Sequence, residues 1–295
     1  GFGIKLYVGS DLVVGRIVGG PDAGKAAFAV AIGADGTVSV AQYVSLQHPI
    51  GGSSYDEAVS LAGKVQAVLT VTDGDGDVAV DKVNIGSAIR FEDDGPTAHI
   101  NLKGPWADVT HDETAGLQNF WNTWALGDIT DNDVAYLSVF DGVANKGTDI
   151  SPTGFAKSAT PVVTTLGSSY GEDEEGATTQ LSLIVKNGNG DDSGLRTTDG
   201  HSITLHLEGA LIVGRIVGGA DAGKAAFAIA IGSDGSLSVA QYVSLQHPIG
   251  GSSYDEAVNL AGKIQAVVTV TDGDGDVAVD KVDIGSVIRF EDDGP

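Results

Sequence analysis

Short runs of valine, isoleucine and alanine dominate the chain, and most alternate apolar with polar positions. "IKLYVGS", "LVVGRIVG", "KAAFAVAIG", "TVSVAQYVSL", "VQAVLTVT", "VAVDKVNIG" and "AIRFED" follow one another between Ile4 and Asp93. Glycine- and aspartate-rich breaks separate them: "GG", "GADG", "HPIGGSS" and "DGDGD". Ile264, Ala266, Val268 and Val270 alternate with Gln265, Val267, Thr269 and Thr271, the period of a strand with one face buried. Seven such strands with frequent turn signals predict an all-β, immunoglobulin-like sandwich. One segment breaks the pattern. "SSYDEAVSLAG" (Ser53 to Gly63) carries Ser54 and Glu57 at capping-box spacing and predicts a helical turn.

The same pattern returns later. Residues 12–96 align without a gap to residues 211–295, at an offset of 199, and only eleven of the 85 positions differ. The changes are mild, as in Val13/Ile212, Val38/Leu237 and Val65/Ile264. Near-identity over this length implies a tandem array. One period then runs from about Thr97 to Pro295, and residues 1–96 are the closing half of a preceding unit. The expected division is a sandwich at 1–96, a diverged sandwich half at 97–199, and a second copy of the first at 200–295. An echo supports the middle assignment: "QLSLIVKNGNGDD" (Gln180 to Asp192) lies over "QAVLTVTDGDGDV" (Gln66 to Val78). Asn187, Asn189 and Asp191 replace Asp73, Asp75 and Asp77. Seven strand signals favour autonomous folding of residues 1–96, and the near-identical copies make strand exchange between them a hazard.

Charge narrows the chemistry. The 295 residues carry a formal net charge of −24, which opposes binding to nucleic acid or anionic membranes and favours cations. Cysteine is absent, which removes disulfides, thiolate metal sites and cysteine nucleophiles. No apolar run is long enough to span a bilayer. Methionine is also absent and the chain opens on Gly1, so the sequence reads as an internal piece of something longer.

The acidic loop "TDGDGD" is the first candidate site. Alternating aspartates can bring several carboxylates to one point, as calcium requires with its six to eight oxygens at about 2.3–2.6 Å. The candidates are Asp73, Asp75 and Asp77, with Asp272, Asp274 and Asp276 in the second copy. Their spacing opens like an EF-hand loop, but Val78 stands at the glycine position and Asn84 or Asp283 at the terminal glutamate. A hairpin built on "DG" explains the loop equally well. The second candidate is the boundary "FEDDGP", with Glu92, Asp93 and Asp94 on one side and Asp112 and Glu113 of "DVTHDET" on the other. These carboxylates either share a cation that stiffens the joint or form a solvated linker.

Other constellations carry less. Trp106, Trp121 and Trp124 cluster near Phe120, where they either stack on sugar rings or pack a core. His48 and His247 precede proline, near Asp56 and Asp255 in sequence, and read as loop hydrogen-bonders. No G-x-S-x-G, H-E-x-x-H or P-loop is present, so an enzyme is not expected.

"TDGDGD", "IRFEDDGP", "DETAGLQ" (Asp112 to Gln118), "DSGLRTTDGHSITL" (Asp192 to Leu205) and "GRIVGG" together resemble the large repeat modules of giant RTX adhesins. The resemblance spans essentially the whole chain. It implies an extracellular bacterial surface protein exported by type I secretion, with calcium-dependent β-sandwiches that extend a fibre for attachment and biofilm formation. Its partners would be neighbouring repeats of the same chain. A carbohydrate-binding module using the tryptophan region is the alternative, with a surface glycan as ligand.

Overall fold

A computed structural model describes residues 2–9, 12–48, 58–104, 107–113, 132–147, 154–248 and 256–292. The fold is all-β, built of several open sheets in the manner of a sandwich. It divides into two compact units. The first comprises residues 1–97, 169–178 and 270–278, and the second residues 98–168, 179–269 and 279–295.

The first unit takes its framework from all seven strand signals. Strands β1 (Gly3–Val8), β2 (Leu12–Val18), β3 (Ala26–Ile32) and β4 (Val38–Gln42) form a four-stranded antiparallel sheet in chain order. Strands β5 (Ala58–Ser60), β6 (Gln66–Thr72), β7 (Val78–Asn84) and β8 (Arg90–Glu92) make two further pairs, β5 with β8 and β6 with β7. Phe28 of β3 meets Phe91 of β8 at 4.9 Å between ring centroids, packing the first sheet against the β5–β8 pair. Ala27, Val30, Leu46, Val65 and Ile89 complete this core. The glycine of "GRIVGG" has a packing reason: a Cβ on Gly15 would lie 2.6 Å from the Phe28 ring.

The helical turn expected at Ser53–Gly63 is corrected where it is described. Ala58–Ser60 is a strand, registered on Arg90–Glu92. Pairing with β8 overrides the local capping signal. Ser54 and Glu57 lie outside the described residues.

The second unit mixes the middle and closing segments. From the middle segment come β9 (Asn101–Leu102), β10 (Val109–Asp112), β11 (Asp133–Val134), β12 (Phe155–Lys157), β13 (Val163–Thr164), β14 (Thr178–Val185) and β15 (Asp191–Arg196). The closing segment gives β16 (Ser202–Glu208), β17 (Leu211–Val217), β18 (Ala225–Ile231) and β19 (Leu237–Gln241), equivalent to β1–β4. It continues with β20 (Ala257–Asn259), β21 (Ile264–Thr271), β22 (Val277–Asp283) and β23 (Ile288–Glu291), equivalent to β5–β8. A seven-stranded sheet runs β11-β12-β19-β18-β17-β16-β15, and three-stranded sheets run β14-β21-β22 and β10-β23-β20. The middle segment therefore enters the sheets of the closing segment, while β9 pairs with β13 and β11 with β12 inside the middle segment itself. The "QLSLIVKNGNGDD" echo is a connection rather than a copy of the β6–β7 hairpin, because β14 and β15 belong to different sheets. Phe227 of β18 meets Phe290 of β23 at 5.1 Å, repeating the Phe28–Phe91 contact.

Candidate cation centre

The loop Asp272–Asp276 connects β21 to β22 and belongs to the first unit. Asp272 Oδ1 folds back on its own loop, accepting from the N–H of Gly275 (3.0 Å) and of Asp276 (2.8 Å). Gly275 supplies the left-handed turn at φ 110°, a conformation that other residues adopt only under strain. This local geometry brings one oxygen each of Asp272, Asp274 and Asp276 within 4.8 Å of one another.

Two distant segments of the first unit close on the loop. The N–H of Gly273 donates to the carbonyl of Asp173 at 2.7 Å, and a Cβ on Gly273 would lie 2.5 Å from the Glu175 carbonyl. Asp274 Oδ2 accepts from the backbone N–H of His48 at 3.1 Å. The His48 ring then lies with Nδ1 3.1 Å from Asp93 Oδ1 and 3.7 Å from Asp274 Oδ2, and with Nε2 3.3 Å from the Phe91 carbonyl. The side chains of His48, Asp93 and Asp274 are at most 8% exposed. They form a second ligand group that shares Asp274 with the aspartate trio. An open cleft of about 940 Å³ borders His48 and Asp93, walled by Glu92, Asp94 and the acidic run Glu172–Glu175.

The electrostatics call for positive charge. Asp93 Oδ2, Asp272 Oδ2 and Asp274 Oδ1 are buried with no hydrogen-bond donor. Among the described residues no lysine or arginine forms an ion pair with these three aspartates. Burial pushes Asp272 up to about 6, and it also raises Asp173. Buried carboxylate oxygens without donors are expensive, and a bound cation is the ordinary compensation. The oxygen-rich trio Asp272, Asp274 and Asp276 could hold a hard divalent ion, and Asp93 and His48 form a second group around the shared Asp274. One imidazole beside them also leaves room for a transition metal.

A family model described as a domain of unknown function, DUF5801, matches residues 1–86 and 108–285. The chain belongs to the DUF5801 family. Both matched stretches stop at equivalent positions of the repeat, Gly86 and Gly285, so they share one closing boundary. No curated protein and no solved structure matches the chain.

The remaining expected residues of the DUF5801 chain fall in three places. Asp73, Asp75 and Asp77 also gather within reach of one ion, but on an exposed hairpin tip. There Asp73 is held below the ordinary carboxylate value by hydrogen bonding from Asp75, and by the backbone N–H groups of Asp77 (2.8 Å) and Gly76 (3.0 Å). The hairpin and cation readings of this loop are thus compatible. Glu92, Asp93 and Asp94 line the first unit's cleft. Asp112 and Glu113 belong to the second unit, where β10 runs parallel to β23 and registers Asp112 on Glu291. Glu113 accepts from the Leu245 N–H at 2.7 Å and from the Gln241 amide, and burial pushes it up to about 7. The two sides of the joint expected between "EDD" and Asp112/Glu113 thus belong to different units, and within the first unit Asp93 takes Asp274 and His48 as neighbours.

His48 is likewise more than a loop hydrogen-bonder, since it joins the cluster through a partner 226 positions away. His247 does fit the loop reading, with Nδ1 3.1 Å from the Glu256 carbonyl. Asp173 is a site residue that motif reading passes over, although the four consecutive carboxylates at Glu172–Glu175 are visible in the sequence. Trp106, Trp121, Trp124, Phe120, Asp56 and Asp255 lie outside the described residues.

Proposed function

We propose that this DUF5801 chain is a calcium-stabilised structural repeat of a bacterial cell-surface adhesin, spacing and stiffening a fibre used in attachment and biofilm formation. One observation carries the reading. The linker residue Asp93 and the hairpin residue Asp274, from two successive copies of the repeat, converge with His48 on buried oxygens that lack donors. A divalent cation held there ties a linker to the loop of the following copy. The role is mechanical, and near-identical copies suit it better than they suit catalysis.

Calcium also supplies the regulation. Inside a cell, where it is scarce, the carboxylates repel and the loop has little to hold it against the linker. In millimolar calcium the ion favours the closed arrangement, so binding and folding are linked. Such a chain stays loose for export by type I secretion and stiffens outside, with neighbouring repeats as its partners. The test is calorimetric titration of the full chain with calcium, magnesium and zinc. Calcium-specific binding, weakened at least tenfold by Asp274→Asn, supports the reading. Absence of binding sinks it, and a preference for zinc transfers the site to transition metals.

A further inference from the structure

The two copies of the repeat are nearly the same sequence in different surroundings. In the second unit three strands of the middle segment cover three strands of the closing segment. β12 pairs with β19, β14 lies beside β21, and β10 runs parallel to β23. Among the described residues the equivalent strands of the first copy have no such neighbours: β4 pairs with β3, β6 with β7, and β8 with β5.

Side chains register the difference directly. Val40 is 45% exposed where Val239 is buried completely, and Leu69 is 64% exposed where Val268 is buried completely. Tyr43 is 60% exposed and its equivalent Tyr242 only 3%. The glycines agree. A Cβ on Gly74 meets nothing, whereas its equivalent Gly273 presses on the Glu175 carbonyl. Gly36 is likewise open where Gly235 lies against Val163. Sequence cannot account for the contrast, because these positions are identical or differ by one methylene. The exposed apolar side chains of β4 and of the β6–β7 hairpin, on which neighbouring Val68 and Leu69 are both open to solvent, are more than the scattered exposure normal for a soluble surface.

The geometry points to a single occupant for these strands: a further copy of the middle segment, residues 98–199, set ahead of residues 1–96 as residues 98–199 are set ahead of residues 200–295. The second unit displays the complex already formed, with its strand registers. Both family-matched stretches end at the same point of the repeat, Gly86 and Gly285. A whole second chain is a poor supplier, because its own middle segment is engaged by its own closing segment. The two halves of one repeat are thus held together by strand complementation. Each middle segment completes the sheets of the half-domain that follows it, a connection that depends on backbone pairing and not on the cation.

The test places a copy of residues 98–199 directly ahead of Gly1 in the full chain and follows amide hydrogen exchange with calcium held constant. Exchange at Val40, Leu69 and Val71 should slow about 100-fold, toward the rates at Val239, Val268 and Val270. Leu183→Asp in the added copy alone should abolish that protection and leave the second unit unchanged, since Leu183 is buried on β14. Unchanged exchange at β4 and β6 in the extended chain overturns the proposal. Equal protection in the 295-residue chain that rises with protein concentration also overturns it, and assigns the face to a whole second chain. Failure of calcium binding would leave this result untouched.

Discussion

Asp272→Asn should stabilise the protein without divalent ions and destabilise it with them. The substitution keeps the oxygen that accepts from Gly275 and Asp276, so the loop retains its hydrogen bonds and loses only the charge. Burial raises the carboxyl from its ordinary 3.8 to about 6, which makes the neutral form the one the fold favours. In EDTA its contribution is fully present below about pH 4 and is lost as pH rises through about 6. At about pH 7.5 the whole penalty is in force. The shift of roughly two pH units corresponds to about 3 kcal/mol, a ceiling because Asp274 shares the charge. The neutral amide should recover much of it, raising the midpoint of a thermal melt by on the order of 10 °C. In millimolar calcium the sign reverses, because a ligand charge is gone. Asp73→Asn is the internal control. Asp73 is exposed and below its ordinary value, so its replacement should give no gain in EDTA. A loss of stability for Asp272→Asn in EDTA at about pH 7.5, or equal effects at the two positions, would refute the reasoning.

Three further outcomes are expected. Gly273→Ala forces a Cβ to 2.5 Å from the Glu175 carbonyl and should cost about 1–3 kcal/mol, whereas Gly74→Ala in open space should cost almost nothing; urea unfolding compares them. Glu113, raised by burial to about 7, stabilises the second unit as a neutral acid below about pH 4.5, and this is lost as pH climbs through 7. Glu113→Gln should therefore flatten the stability difference between about pH 5 and pH 8, worth up to about 3 kcal/mol in EDTA, as read by denaturant titration. Phe290→Ala removes the contact with Phe227 and should cost about 3–5 kcal/mol, in line with large core truncations; calorimetric unfolding measures it.

The strands and the repeat are legible in the sequence because both are local or periodic signals. Every run from "IKLYVGS" to "AIRFED" forms a strand, and the period of 199 superposes β1–β8 on β16–β23. The acidic loops announce themselves by three aspartates where a turn needs fewer. Partner choice is not legible. Asp274 meets His48 across 226 positions because separate segments converge in the first unit, and no local pattern encodes that. The middle segment is hard to read for the same reason. β9 and β13 have two residues each, too few for any periodicity, and β10 pairs in parallel with a strand far along the chain. At Ala58–Ser60, alanine, serine and a nearby glutamate mimic a helix start, while the strand state comes from Arg90–Glu92.

The most direct measurement of the central claim is a thermal melt of the full chain in EDTA and then in millimolar calcium, with magnesium as the control. A calcium-specific rise in midpoint is expected, since occupancy at about a hundred times Kd adds about 2.7 kcal/mol per site. Asp93→Asn together with Asp274→Asn should remove most of that rise. An unchanged midpoint in calcium, or an equal rise with magnesium, contradicts the account and leaves the aspartates as turn residues of a metal-independent spacer.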